Sequence, residues 1–351
     1  MARPLGGAAL SPDAAVSAAV PVRFFLPEPP EELARLAGID PDRDWRELVT
    51  GDRAWILQTF LRLARTGAPV ELVGRVPADG IVLFHAKHER HVRRAPGAGR
   101  ALLVGCRADN RQPLAAEVEI LQNGQFADGE RRFFVSHWPQ PGLVPRDPAR
   151  ADRLETVAFK GFAANLHPDL ARPEWRAALA ARGLAWEADA PVFAGAATAT
   201  AAARWADYRE VDVVLALRPR ERRTARSKPA TKLVNAWLAG VPALLGPEPA
   251  FRELRRSELD YLEIEDARSA LEALDRLRAE PGLYRAMVEQ GRRRTAEVDV
   301  AAVTARWREL LFERLPALAA DPARRRSRRL PHGHRRLGRL ISRWAARRPP
   351  R

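Results

Sequence analysis

Apolar residues fall along this chain in two textures. Between residues 22 and 136 they come as short, nearly continuous runs, at 22–26, Val70–Val73, 81–84, 101–105, 117–121 and 132–136. Runs of this length that are apolar at successive positions predict strands of a sheet covered on both faces. Across 55–65 the pattern changes, with Trp55, Ile56, Thr59, Phe60 and Leu63 on one side of an amphipathic helix. Helical signal between the other runs is weak. Four prolines and a glycine within 137–148 then predict a linker or a crossing between domains. From residue 156 strands (157–159, 211–217, 241–245, 261–264) alternate with helices (175–182, from Lys228, Ala267–Ala279, 282–294, 301–314). Such alternation predicts a parallel α/β sheet. The chain thus divides into a loose N-terminus (1–20), a first α/β domain (21–138), a linker (139–155), a second α/β domain (156–315) and a tail (316–351). No internal repeat is visible.

Composition changes this picture in two places. The 351 residues carry a net charge of +15, which invites a nucleic-acid reading until the charge is located. Residues 323–351 hold twelve arginines and no acid, while the remaining 47 basic residues nearly balance 44 acidic ones. In that tail Leu337, Leu340, Ile341 and Trp344 follow helical spacing, and Arg335, Arg336, Arg339, Arg343 and Arg347 fill the other face. A basic amphipathic segment with a tryptophan, over 335–348, fits an anionic membrane surface. A solvated, disordered tail is the alternative, and nucleic-acid binding ranks third because no recognised motif accompanies the charge. The single cysteine, Cys106, excludes an intramolecular disulfide and lies in an apolar run, as an inert strand cysteine would. No secretory signal or spanning segment is read in the chain, so the expected address is cytoplasmic, with peripheral membrane contact through the tail.

The lysines carry the chemistry. The 59 basic residues include four, Lys87, Lys160, Lys228 and Lys232, and two of these fall in Lys228-Pro-Ala-Thr-Lys232-Leu-Val-Asn235-Ala-Trp-Leu-Ala-Gly240-Val-Pro242. Ser227 suits an N-cap, Pro229 the first turn and Gly240 a left-handed stop, so the segment predicts a helix from Lys228 followed by a buried strand. Lys228 and Lys232, four apart, would share one face at the positive end of that helix, which suits a phosphate; a solvated helix face is the plainer alternative. Ligands of open α/β sheets bind beyond the carboxyl ends of strands. Lys160 and Gly161 follow the strand at 157–159, and Arg218 follows the one at 211–217, so three lysines map to one rim as a diphosphate cradle.

The Lys228–Pro242 segment is similar to the Lys-Pro-x-x-Lys-Leu-x-Glu-x-x-x-x-Gly-x-Pro segment of GT-B glycosyltransferases of the family-4 group. Residues 270–294 and 304–310 resemble that family's C-terminal helices, and the likeness covers about 156–313. The resemblance implies a GT-B-like α/β fold, two Rossmann-like domains facing across a cleft, and transfer of a sugar from a nucleotide-diphosphate donor to an acceptor the sequence does not name. It implies Lys232 near the donor phosphates and Lys160 with Gly161 in the loop after the first strand of the donor domain. The nucleotide-sugar is a co-substrate, and no cofactor or metal is implied, since the cations already present neutralise the leaving group. Two departures stand out. The family's acidic pair, eight residues apart, is Ser227 and Asn235 here, and its glycine-rich loop is Gly246-Pro-Glu-Pro-Ala250. Asparagine can still bond ribose hydroxyls, though without a carboxylate's charge. A binding protein that kept the fold and lost catalysis is therefore the second reading.

A base for the acceptor hydroxyl is sought in the first domain. His85, Asp109 and His137 each follow an apolar run there. His85, His88 and His91 are spaced three apart, but no carboxylate or cysteine cluster supports a metal site. A loop histidine bonded to backbone is the plain alternative for either His85 or His137.

Overall fold

The computed structural model describes residues 20–95, 99–189, 197–219 and 228–321. The expectations for the N-terminal segment to residue 19, for Ser227 and for the arginine-rich tail from 322 onward lie outside the described residues.

Among the described residues the strands form two parallel sheets. The first holds β1 (Val22–Phe25), β2 (Val70–Val73), β3 (Ile81–His85), β4 (Leu102–Cys106), β5 (Val118–Leu121) and β6 (Arg132–Phe134), in the order β2-β1-β3-β4-β5-β6. The second holds β7 (Thr156–Lys160), β8 (Ala185–Asp189), β9 (Val213–Ala216), β10 (Ala243–Leu245) and β11 (Leu262–Glu263), in the order β11-β10-β9-β7-β8. Every residue of β3, β4, β5, β9 and β10 is buried, as their continuous apolar runs require, whereas edge strand β2 exposes Glu71. Strand order reverses beside β1 in the first sheet and beside β7 in the second. Each reversal opens a crevice at the carboxyl edge where ligands settle.

The helices are α1 (Pro30–Ala37), α2 (Gln58–Arg65), α3 (Glu89–Arg94), α4 (Pro168–Ala171), α5 (Pro173–Ala180), α6 (Ala197–Ala206), α7 (Thr231–Ala239), α8 (Pro249–Leu254), α9 (Ala267–Ala279), α10 (Pro281–Thr295), α11 (Val300–Glu309) and α12 (Leu315–Ala320). A wide turn at Arg53–Leu57 leads directly into α2. Helices α1 and α3 escape the apolar pattern because they are short and each buries a single side chain, Leu36 in α1 and Val92 in α3. No described helix is long and apolar enough to cross a membrane.

The last helices correct the sequence-based division of the chain. Val303, Trp307, Leu310, Leu311, Leu315 and Ala319 pack with Trp55, Ile56, Leu63 and Trp138 in the core beneath the first sheet. The chain therefore returns to the first domain after α10, and 300–320 does not belong to the second. An apolar stripe announces that a helix face is buried, but not against which sheet.

The first crossing is fastened at both ends. Trp138 is fully buried in the first core and its indole N–H donates to Thr59 Oγ1 at 2.9 Å. Arg146 and Arg150 both reach Asp212, at 2.7 Å each, and Asp212 also accepts the Glu155 and Thr156 N–H groups at 2.9 Å. Asp212 is fully buried, so its charge is balanced by two guanidinium groups and two amides.

Candidate active site

Helix α7 follows β9 and begins at the carboxyl edge of the second sheet. Gly240 ends it at φ 73°, with its N–H donating to Trp237 O at 3.2 Å and the Val241 N–H to Ala236 O at 3.0 Å. This is the predicted glycine stop. The helix starts later than the sequence suggests. Ala230 is its N-cap, no side chain among the described residues caps it, and Lys228 and Pro229 precede it. Lys228 and Lys232 therefore do not share a helix face, although their charges still act on one another.

Lys232 turns back toward β7. Its Nζ donates to the Lys160 carbonyl and lies 5.1 Å from the centroid of the Phe159 ring. A Cβ on Gly161 would stand 2.9 Å from that nitrogen, so glycine is what lets the ammonium approach the strand end. Surrounding protein and the Arg218 cation lower Lys232 to about 7, against the opposing charge of Glu248. Arg218, beyond β9, pairs with Glu248, beyond β10, and both are buried. Burial raises Glu248 despite the cations beside it. Among the described residues its Oε1 and the Arg218 Nε have no hydrogen-bond partner, and polar atoms left in this state mark a place suited to a polar ligand.

Two sequence-predicted donor residues are placed differently. Lys160 stands at the end of β7, but its side chain leaves on the other face of the sheet. There it pairs with Glu187, donates to the Arg204 carbonyl at 3.1 Å and lies 5.7 Å from the Tyr208 ring centroid. Successive strand residues point to opposite faces, so with Phe159 facing Lys232 the Lys160 ammonium cannot. Only its carbonyl joins the cradle. Asn235 is buried, and its Oδ1 accepts the Gln140 N–H at 3.1 Å, tying α7 to the crossing segment.

The first sheet supplies the opposite wall. Asp109, in the loop after β4, forms an ion pair with Lys228 across the cleft. Burial pushes its carboxyl up, but Lys228 outweighs this and holds it below the usual carboxylate range. His137, past the end of β6, donates from Nδ1 to the Trp138 carbonyl at 2.7 Å and packs edge-on to Trp55 at 5.3 Å. A carbonyl only accepts, so the Nδ1 proton is fixed and Nε2 keeps its lone pair. Burial lowers the His137 pKa, against the Trp138 carbonyl contact and the Asp109 charge. His137 lines a cavity of about 60 Å³ together with Ser136, Thr231, Val234 and Arg306, so it faces the start of α7.

His85, at the end of β3, has the opposite tautomer. Its Nδ1 accepts the Lys87 N–H at 3.3 Å, while Nε2 is buried without a partner among the described residues. Burial lowers it to about 4. Beside it, Asp52 binds His88 Nε2 at 2.9 Å, Lys87 Nζ at 3.0 Å and Thr50 Oγ1 at 3.0 Å. The histidine rings stack in sequence, 6.4 Å between His85 and His88 and 5.8 Å between His88 and His91, rather than converging on a point. Among the described residues no group of histidine, cysteine, aspartate and glutamate is arranged to hold a metal. Cys106 is buried in β4 and its thiol is raised by burial, which leaves it inert.

The structure thus brings Lys228, Lys232, Gly161 and Arg218 to one carboxyl edge and Asp109, His137 and His85 to the other. Glu248 and Glu253 were not singled out from sequence. Glu248 had a signal, an acid in the loop after a buried parallel strand. Glu253, whose carboxylate accepts the Gly124 and Gln125 N–H groups of the first domain at 2.8 and 3.3 Å, had none.

No protein-family model matches the chain, and no curated protein matches it. Among solved structures, Anabaena HepE in complex with UDP and glucose superposes with a TM-score of 0.51 at 13% identity, over 84% of this chain and 100% of that one. The same protein in complex with UDP-glucose gives a TM-score of 0.50 at 14% identity, over 83% and 99%. At this identity the likeness is one of fold. The chain has the GT-B arrangement of two Rossmann-like domains that the sequence leads one to expect.

Proposed function

We infer that this protein transfers a sugar from a nucleotide-diphosphate donor to an acceptor hydroxyl. One observation carries the reading. Lys232, Lys228 and Arg218 gather around the start of α7, and His137, whose Nδ1 donates to the Trp138 carbonyl, lines a cavity at that same helix start. The crystallised complex of HepE with UDP-glucose supports a nucleotide-sugar as the donor class for this arrangement. In transfer, the acceptor oxygen forms its bond to the anomeric carbon as the bond from that carbon to the diphosphate breaks. Lys232 and Lys228 lie where the leaving charge develops, and cations fixed there favour the transition state over the ground state. His137 Nε2 is the group we assign to take the acceptor proton.

Donor binding without transfer is the second reading, favoured by Asn235, whose side-chain oxygen is occupied by the Gln140 N–H. Calorimetric titration of the full chain with UDP, GDP and ADP, repeated on Lys232→Ala, tests the donor site. One nucleotide is expected to bind, and Lys232→Ala to weaken it roughly tenfold or more, the usual worth of a charge-assisted contact. Binding by none of the three overturns both readings. Binding without release of free nucleotide from the matching nucleotide-sugars, across a panel of acceptor alcohols, would select the second.

A further inference from the structure

The Lys228–Asp109 pair joins the two walls of the cleft, and its side chains are 22% and 44% exposed. Ion pairs this open contribute little to stability, so the contact can be exchanged at small cost. A diphosphate offers Lys228 more negative charge than one carboxylate does.

We propose that Asp109 is an internal competitor for the donor diphosphate: it neutralises Lys228 while the donor is absent and yields Lys228 when a diphosphate enters. This rests on the nucleotide-sugar reading of the cleft.

The test is calorimetry with UDP and inorganic pyrophosphate on the full chain and on Asp109→Asn, with a thermal melt as fold control. Removing the internal competitor is expected to tighten binding about two- to fivefold. On a Lys228→Ala background the Asp109→Asn gain should vanish, because there is no ammonium left to compete for. Binding by Asp109→Asn that is unchanged or weaker, in a folded protein, overturns the exchange, as does a gain that persists without Lys228. If neither the wild type nor the variant binds UDP or pyrophosphate, and GDP and ADP also fail, the donor reading falls with it.

Discussion

Two histidines at the rim of the first sheet show how one backbone contact decides what a side chain can do. His137 spends its Nδ1 proton on the Trp138 carbonyl and keeps a basic nitrogen. His85 accepts at Nδ1 from Lys87 and is left with an N–H at Nε2, so it is a donor and not a base. Its burial has a measurable consequence. The folded value is about 4 against an ordinary 6.5. Between those pH values the unfolded chain binds the proton and the folded chain does not, so stability falls as pH drops from 6.5 to 4 and falls no further from this source below that. The full loss is at most about 3 kcal/mol for a shift of this size. His85→Gln keeps a polar side chain without a titrating ring, so its thermal midpoint should decline less than the wild type's across that window. Parallel declines would assign the acid sensitivity to other groups. Sequence placed both histidines after strands; His137 lies past β6, whereas His85 is the last residue of β3. Which nitrogen is free depends on a carbonyl and an amide that only the folded loops bring into place. Lys160 gives the same lesson, since its position on the rim was legible and the face it leaves from was not.

At the scale of the element, α7 was legible at its end and not at its start. A left-handed residue is a local demand, met by Gly240 whatever surrounds it. The start depended on distant partners. Ser227 and Pro229 suggested a cap and a first turn, yet Lys228 pairs with Asp109 on the other sheet and the helix begins at Thr231. The stop can be tested without disturbing packing, because a Cβ on Gly240 would meet nothing within 4 Å. Gly240→Ala is therefore expected to cost about 1–2 kcal/mol, purely from the left-handed backbone. Urea denaturation would register this as a lower midpoint with an unchanged slope. No shift would mean that the helix end relaxes, and that Gly240 is not what terminates α7.

At the scale of the whole molecule, the α/β class was legible because strand–helix alternation is written into the second half and unbroken apolar runs into the first. The ownership of the last helices was not. Trp307 is fully buried with its ring 6.3 Å from that of Trp55, and the residues flanking it also touch the first domain, Arg306 through Ser136 and Arg308 through Thr66. The second domain's chain thus ends by filling the first domain's core. The cavity left by Trp307→Ala should cost about 3–5 kcal/mol, and the site of that cost separates two pictures. If each sheet with its helices is its own cooperative unit, the loss falls on the first. Hydrogen exchange read by mass spectrometry should then show faster exchange in peptides covering β1 and β3, with those covering β7 and β9 unchanged. Equal acceleration in both sheets would mean that the fastened crossing and the cleft contacts bind the two domains into one unit. In that case Lys228 would pass from Asp109 to a diphosphate within a rigid cleft, without domain movement.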